Sequence, residues 1–376
     1  MAESQWVRIA IDARKWRDYG IGTYIRNLVR HMARLDRTTE YVLIVQPADI
    51  EIAADLGENF RTVPDWSRNY SVREQFTVPL DLRRERIDLF HAPHYVLPPL
   101  TPCKSVVTIH DCIHLRFPQY LPNRLAYVYA RSSLWMATHR AARVLTVSET
   151  SKRDILRYFN VPEKKIDVIY NAIDERLGEA PTAAEVDQVR ERYQLNDPFI
   201  LYAGNIKPHK NLERLIEAFY RMRRGPLEHI KLLIIGDEIS KYATLRRTVH
   251  RLKLHKHVRF FGFVPDKTLA SLYRLASVFV FPSLYEGFGL PPLEAMAAGT
   301  PVITSNVSSL PEVVGDAAIL IDPYDLDAIA DAMRRVLTDE ALRQDLRARG
   351  LARVKEFSWD RSISRVREIY GEVLAG

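Results

Sequence analysis

Two carboxylates separated by seven residues, Glu286 and Glu294, stand in the stretch 279–300, F-V-F-P-S-L-Y-E-G-F-G-L-P-P-L-E-A-M-A-A-G-T. Residues 279–281 predict a short apolar strand, Gly287 and Gly289 let the backbone come close to a ligand, and Pro291-Pro292 open a helix that Gly299 ends. Glu286 is therefore expected in the loop and Glu294 in the first helical turn. A sugar offers many hydroxyl donors and no charge. Carboxylates, which only accept hydrogen bonds, suit it, and bare N–H groups at a helix start suit the phosphate beside it. For Glu294 a second reading stands alongside: an acid in a first turn gains roughly 0.3–1 kcal/mol from the helix dipole. Glu286, between Tyr285 and Gly287 straight after a buried strand, has no such explanation and reads as functional.

A phosphate group beside such a sugar calls for cations and helix starts facing its charge. Residues 201–219, L-Y-A-G-N-I-K-P-H-K-N-L-E-R-L-I-E-A-F, offer them: a strand, a glycine turn, Lys207 and Lys210. Asn211 is then expected to cap a helix with Leu212, Leu215, Ile216 and Phe219 inward. A solvated lysine pair is the bland alternative. Near the N-terminus, D-A-R-K-W-R-D-Y-G-I-G-T-Y at 12–24 leads into a helix expected over 21–35. Gly20 and Gly22 there would let the helix start approach phosphate, although the third glycine of a dinucleotide fingerprint is missing.

His110 and Asp111 follow the strand expected at 105–109, where a doubly wound sheet puts ligand-facing groups. His91, His94, Asp111 and His114 have ligand-like spacings, yet one ion would then draw on two strand ends, and no catalytic metal is expected. Asp325-Leu326-Asp327 spells the Asp-x-Asp of metal-dependent transferases. Its setting, D-P-Y before and A-I-A-D-A-M after, predicts a helix N-cap instead, as does that of Ser148.

The elements that must position these residues alternate throughout. Strands are expected near 7–11, 41–45, 88–90, 105–109 and 144–147, then 199–203, 231–235, 258–261, 278–281, 301–304 and 318–321, with helical periodicity between them. That rhythm predicts parallel sheets covered by helices. A hinge is expected within 174–198, around E-A-P-T-A-A-E, and an amphipathic helix over 359–374. A length of 376 residues suits two domains, and 47% apolar against 27% charged residues is ordinary globular composition. The first residues lack the apolar core of a secretory signal, and no apolar run reaches the roughly 18–20 residues of a membrane span. Two cysteines, Cys103 and Cys112, exclude a zinc ribbon and fit a reducing cytoplasm.

The net charge of +7 is uneven: residues 112–148 contain no acid but Arg116, Arg124, Arg131, Arg140 and Arg143, with Phe117, Tyr120, Tyr127, Tyr129 and Trp135 among them. A basic aromatic helix over 122–143 suits an anionic membrane surface or a polyanionic acceptor; a solvated face over an aromatic core stripe is the alternative. Nucleic acid is not an expected partner, since no binding motif accompanies the charge.

With Pro301-Val302-Ile303 and Leu310-Pro311-Glu312-Val313 behind it, the 279–300 stretch resembles the retaining glycosyltransferases of family 4, whose signature is Glu, seven residues, Glu with this glycine and proline filling. The resemblance covers essentially the whole chain and is strongest after residue 199. It implies the α/β GT-B fold, two doubly wound, Rossmann-like parallel-sheet domains facing an interdomain cleft. Residues 1–178 would form the acceptor side, 179–358 the nucleotide-sugar domain, and 359–376 a helix crossing back to the first.

By the same resemblance Glu286 holds the donor sugar's hydroxyls and Glu294 the ribose, with N–H groups of Gly287, Phe288, Gly289 and Leu290 near sugar or phosphate. The glycine loop with Gly20 and Gly22 closes over the diphosphate, His110 stands beside the transferred sugar, and Asp111 orients or polarises it. Lys210 matches a diphosphate lysine. Where the family usually has an arginine this chain has Asn205, so that contact is lost, weakened or taken by Lys207.

The implied activity is a cytoplasmic, metal-independent, retaining hexosyltransferase, peripheral on the inner face of the cytoplasmic membrane, with no cofactor beyond its nucleotide-sugar donor. G-I-G-T-Y-I-R-N-L paired with G-N-I-K-P-H-K-N is most similar to bacterial mannosyltransferases of surface polysaccharide, which implies GDP-mannose and a glycan or polyprenyl-diphosphate-linked acceptor. A UDP-hexose donor, a sugar-nucleotide epimerase of similar fold, and a binding protein without turnover are the rival readings.

Overall fold

A computed structural model describes residues 7–174, 181–236 and 242–376. The chain divides into two compact units, Met1–Asn171 with Ser358–Gly376, and Ala172–Phe357. The border expected between residues 178 and 179 lies outside the described residues.

The first unit holds a seven-stranded sheet in the order β3-β2-β1-β4-β5-β6-β7, every pair parallel. Its strands are β1 Arg8–Asp12, β2 Glu40–Val45, β3 Phe60–Pro64, β4 Leu89–Ala92, β5 Lys104–Ile109, β6 Arg143–Thr146 and β7 Ile166–Val168. Its helices include α1 Tyr19–Leu35, α2 Glu74–Arg84, α3 Ile113–Arg116, α4 Arg124–Arg140 and α5 Glu149–Tyr158. The second unit has six parallel strands in the order β10-β9-β8-β11-β12-β13. They are β8 Phe199–Ala203, β9 Lys231–Ile235, β10 Val258–Gly262, β11 Val278–Phe281, β12 Val302–Ser305 and β13 Ile319–Ile321. Around them lie α6 Ala183–Arg192, α7 Leu212–Met222, α8 Ala243–Arg251, α9 Asp266–Leu275, α10 Leu290–Ala297, α11 Leu310–Val314, α12 Leu326–Thr338 and α13 Glu340–Val354.

Central strands such as F-I-L-Y-A of β8 and V-F-V-F of β11 are buried at every position. With helices on both faces of a parallel sheet there is no wet side, so these strands read as continuous apolar runs. In each sheet the order reverses next to the first strand, between β1 and β4 and between β8 and β11. Connections there leave to opposite faces and open a crevice beyond the carboxyl ends of the two strands.

The last helix, α14 Trp359–Ala375, belongs to the first unit. Ser358 caps it, and Trp359, Ile363, Val366, Ile369 and Tyr370 are buried. Polar ties fix its register: His31 Nδ1 is 2.7 Å from Asp360 Oδ1, Ser362 Oγ donates to the Tyr170 carbonyl at 2.6 Å, and Tyr370 Oη is 2.5 Å from His91 Nδ1. His91 Nε2 meets Thr108 Oγ1 at 2.8 Å, and burial holds the ring neutral by pushing its pKa down to about 3. A neutral imidazole has one donor and one acceptor nitrogen, and this network uses both. Among the described residues no helix is long and apolar enough to cross a membrane.

Replacing Tyr370 with Phe strips a buried histidine nitrogen of its partner. A stability loss of about 1–3 kcal/mol follows, read as a lower urea midpoint for the first unit, with the midpoint of the second unit unchanged.

Candidate active site

In the second unit two turns leave the carboxyl ends of β8 and β11, neighbouring strands at the reversal of sheet order. The β11 turn holds Glu286. Its Oε1 accepts from Lys210 Nζ at 2.6 Å and from Ser283 Oγ at 2.6 Å. Lys210 comes from the β8 turn, its ammonium 5.2 Å from the centroid of the Phe281 ring. The two charged side chains are only 11% and 14% exposed, which makes this a nearly buried ion pair. Oε2 of Glu286 has no protein partner among the described residues.

The Glu286 backbone is held as well. Its N–H donates to Ser308 Oγ at 2.9 Å, while Ser308 Oγ donates to its carbonyl at 2.5 Å. Ser309 Oγ donates to the carbonyls of Glu286 at 2.9 Å and Phe288 at 2.7 Å. Ser308 adopts a left-handed φ of 61°, uncommon for serine, and its hydroxyl closes on both polar backbone groups of one residue from there. Gly289 then starts α10 at φ 117°, and a side chain there would also meet Leu310 Cδ2 at 2.8 Å, so the turn requires glycine.

Helix α10 begins at Leu290, so Glu294 falls in its second turn and not in the first turn expected from the paired prolines. The dipole contribution fades within one turn and does not account for this acid. Glu294 Oε2 accepts from Tyr273 Oη at 2.9 Å. Burial, with repulsion from Asp266 and Asp174, pushes the acid up to about 7 against the pull of the Tyr273 hydroxyl.

Lys207 and Lys210 separate: Lys207 is exposed, and Lys210 turns inward. Asn205 Oδ1 is buried without a partner among the described residues. Asn211 sits before α7 as expected but does not cap it, because its left-handed backbone (φ 64°) turns the side chain away. Its amide donates instead to the carbonyls of Pro282 at 3.0 Å and Pro323 at 2.7 Å, tying the β8 turn to the end of β11. Asp325 does cap α12, accepting from Asp327 N and Ala328 N, and Ser148 caps α5.

In the first unit α1 starts at Tyr19, two residues earlier than expected, and takes Gly20 and Gly22 into its first turn. A side chain at Gly22 would lie 2.5 Å from the Trp16 carbonyl, so this glycine serves the packing of its own loop; at Gly20 nothing lies within 4 Å. Of the two, Gly20 is the one that leaves room for a ligand. His110 Nε2 donates to the Pro93 carbonyl at 3.0 Å, which leaves Nδ1 of the neutral ring as an acceptor. The ring packs edge-on against Tyr24 at 4.9 Å, and burial lowers its pKa. Asp111 is expected to orient or polarise this ring. Its Oδ1 accepts from Ile113 N at 2.9 Å at the start of α3, so Pro93 orients His110, and Asp111 acts on the ring through its charge, the polarising half of that expectation.

His94 Nε2 meets Tyr70 Oη at 2.8 Å, and among the described residues no three His, Cys, Asp or Glu form a metal-ligating group. Sequence reasoning passed over the serines at 283, 308 and 309, Tyr273, and a buried ion cluster at the end of β1. There Arg14 lies 2.6 Å from Asp12 and 3.2 Å from Glu74. The serines had a signal, S-S directly before L-P-E-V, which reads as an ordinary helix start; Tyr273 looks like any core aromatic.

Family models match most of the chain: Glycosyltransferase Family 4 over residues 19–177 and Glycosyl transferases group 1 over residues 185–353. O-antigen chain mannosyltransferase B of Escherichia coli is 37% identical over 292 residues, 77% of this chain and 75% of that protein. The serotype-specific mannosyltransferase WbdA of Escherichia coli is 32% identical over 272 residues, 69% of this chain, which spans only 32% of that longer protein. Among solved structures, sucrose-phosphate synthase from Thermosynechococcus elongatus superposes with a TM-score of 0.79 at 22% identity, over 98% of this chain and 99% of that one, a likeness of fold.

The raised Glu294 makes a pH test. An acid whose pKa is higher folded than unfolded binds its proton more tightly in the native state. The ligand-free protein therefore loses stability as pH rises from the ordinary glutamate value through about 7. Glu294→Gln removes that loss: its melting temperature should exceed that of the parent by more at pH 8 than at pH 5. An equal difference at both pH values would mean the carboxylate is not desolvated.

Proposed function

The chain belongs to the family 4 glycosyltransferases of the GT-B fold, and from that premise we propose that it moves mannose from GDP-mannose, with retention, to a glycan or polyprenyl-diphosphate-linked glycan. The observation that carries this reading is the Lys210–Glu286 pair at the ends of β8 and β11. One member has the charge a diphosphate needs and the other the acceptor oxygens a hexose needs, and their spacing brings both halves of one donor together. Mannose is supported by the two mannosyltransferase relatives.

In this reading the donor divides the pair. Lys210 turns to the diphosphate with N–H groups of the Phe288 to Leu290 turn, and Glu286 takes the sugar hydroxyls. Glu294 accepts from the ribose, whose hydroxyls replace the water that its site excludes. Asn205 leaves one phosphate contact fewer than the family pattern, and Lys207 is near enough in sequence to supply it. The acceptor hydroxyl attacks the anomeric carbon on the face from which the diphosphate leaves. The bond from that carbon to phosphate oxygen breaks as the new C–O bond forms, and the departing oxygen takes the hydroxyl proton. No separate base is needed. His110 serves the transferred sugar through Nδ1, its free acceptor. The reaction uses no cofactor and no metal, its cations being lysines and helix N–H groups.

The acid-free segment 112–148 is read as the acceptor-side contact with anionic lipid, on the cytoplasmic face of a membrane. Helix α4 keeps Arg124, Arg131 and Arg140 exposed beside Leu125, Val128 and Trp135. An open groove next to Arg131 is walled by Trp135, Met136 and Phe159. Apolar walls with a cation at the mouth suit a lipid that ends in phosphate.

Glu286→Gln should cut turnover about ten- to a hundredfold, the worth of one charge-assisted hydrogen bond. Mass spectrometry of product made from GDP-mannose, against UDP-glucose and UDP-galactose, with and without a lipid-linked oligosaccharide and with and without EDTA, checks this. Parental turnover by the variant would sink the role given to Glu286. Hexose interconversion without acceptor would make the protein an epimerase, and EDTA inhibition reversed by manganese would contradict a metal-free reaction.

A further inference from the structure

Past the end of β3 the chain runs W-S-R-N-Y-S-V-R-E-Q-F-T-V-P-L over residues 66–80 and turns its bulk outward. Trp66 is 73% exposed, Val72 78% and Phe76 61%, with Leu80 at 45% on the same face one turn along α2. Arg68 and Arg73 are exposed among them, and further along α2 Arg83 is exposed and Arg84 lies 3.8 Å from Asp81. The acids of the segment are withdrawn: Glu74 is buried on Arg14, and Asp65 is buried beneath Ser67 and Thr77.

The display is held from below. Arg14 Nη1 donates to Ser67 Oγ at 3.0 Å, Ser67 N to Asp65 Oδ1 at 2.6 Å, and Gln46 Nε2 to the Ser67 carbonyl at 3.2 Å. A fixed floor that keeps four large apolar side chains in water marks a surface meant to be covered. Behind it, ring contacts lead toward the stretch before α4: Tyr70 lies 6.4 Å from Tyr95 and Tyr95 6.1 Å from His114 of α3, between ring centroids. Helix α4 itself exposes Leu125, Val128 and Trp135 with its arginines.

We propose that residues 66–80 are a lipid-inserting element through which the first unit meets an anionic bilayer, separate from the contact read for α4. A bilayer surface satisfies both chemistries at once: Trp66, Val72, Phe76 and Leu80 enter the boundary of the acyl region, and the guanidinium groups stay at phosphate level. The absence of any exposed acid between residues 66 and 80 removes the repulsion that would oppose it. The inference extends the lipid-facing part of the proposed function and does not depend on the role of Glu286.

Vesicles of phosphatidylglycerol and phosphatidylethanolamine test it, with sedimentation at low salt and at about 0.5 M salt, where charge attraction is screened. The parent should keep part of its binding at high salt. A variant with Trp66→Ser, Val72→Ser and Phe76→Ser should lose that salt-resistant part, lowering partition about tenfold or more, while turning over a water-soluble acceptor normally. Brominated acyl chains should quench Trp66 fluorescence, seen as a component missing in Trp66→Phe. A variant with Arg124, Arg131 and Arg140 changed to Gln should lose only the salt-sensitive part. If the arginine variant binds like the parent and the serine variant does not, the α4 reading fails and this one stands. Parental sedimentation of the serine variant overturns it. So does intact vesicle binding with lost turnover of soluble acceptor, which would make the face a glycan platform.

Discussion

The ion pair between Lys210 and Glu286 is the interaction on which the site depends. Both charges are largely withdrawn from water, and burying a charge costs several kcal/mol unless a partner and further hydrogen bonds offset it. Lys210 has Glu286 and the face of Phe281; Glu286 has Lys210 and Ser283. Removing either leaves the other stranded. In the proposed function a donor bringing its own anion and its own hydroxyls replaces both partners of this pair together. The neighbouring Glu294 follows the other logic: with no cation opposite, burial keeps it close to half-protonated near neutral pH.

What brings the pair together is sheet topology. Lys210 and Glu286 are 76 residues apart in sequence, yet β8 and β11 are neighbours at the reversal of strand order, so the turns that follow them face one crevice. Asn211 fastens one turn to the other through Pro282, and Ser308 and Ser309, arriving from the end of β12, brace the Glu286 backbone. The first unit has the same reversal between β1, which ends at Asp12, and β4, with His110 following the next strand, β5, and α14 returns to complete its core.

The sequence was most legible where burial is most complete. Strands β8 and β11 are apolar throughout, and β9 is so after Lys231, because helices cover both faces, and their positions follow directly from the residues. Strands β3 and β7 escaped notice for the opposite reason. They are the two edges of the first sheet, F-R-T-V-P and I-D-V, short, interrupted by charge or proline, and mostly half-buried. At the site, the glycine and glutamate pattern foretold the loop and helix, but a helix beginning at Leu290 puts Glu294 one turn deeper than the prolines suggested. Asn211 departs from expectation for a local reason: a polar side chain before a helix suggests a cap, and its left-handed backbone sends the amide to Pro282 and Pro323 instead. Ser308 lay beyond reach, since its role comes from a backbone conformation that serine seldom adopts.

Calorimetric titration of GDP-mannose and of GDP into the parent protein, Glu286→Gln and Lys210→Met tests the central claim most directly. Glu286→Gln should bind the two ligands with equal affinity, erasing the contribution of the sugar, and Lys210→Met should weaken both by a similar factor. A Glu286→Gln protein that still prefers GDP-mannose over GDP as strongly as the parent would contradict it.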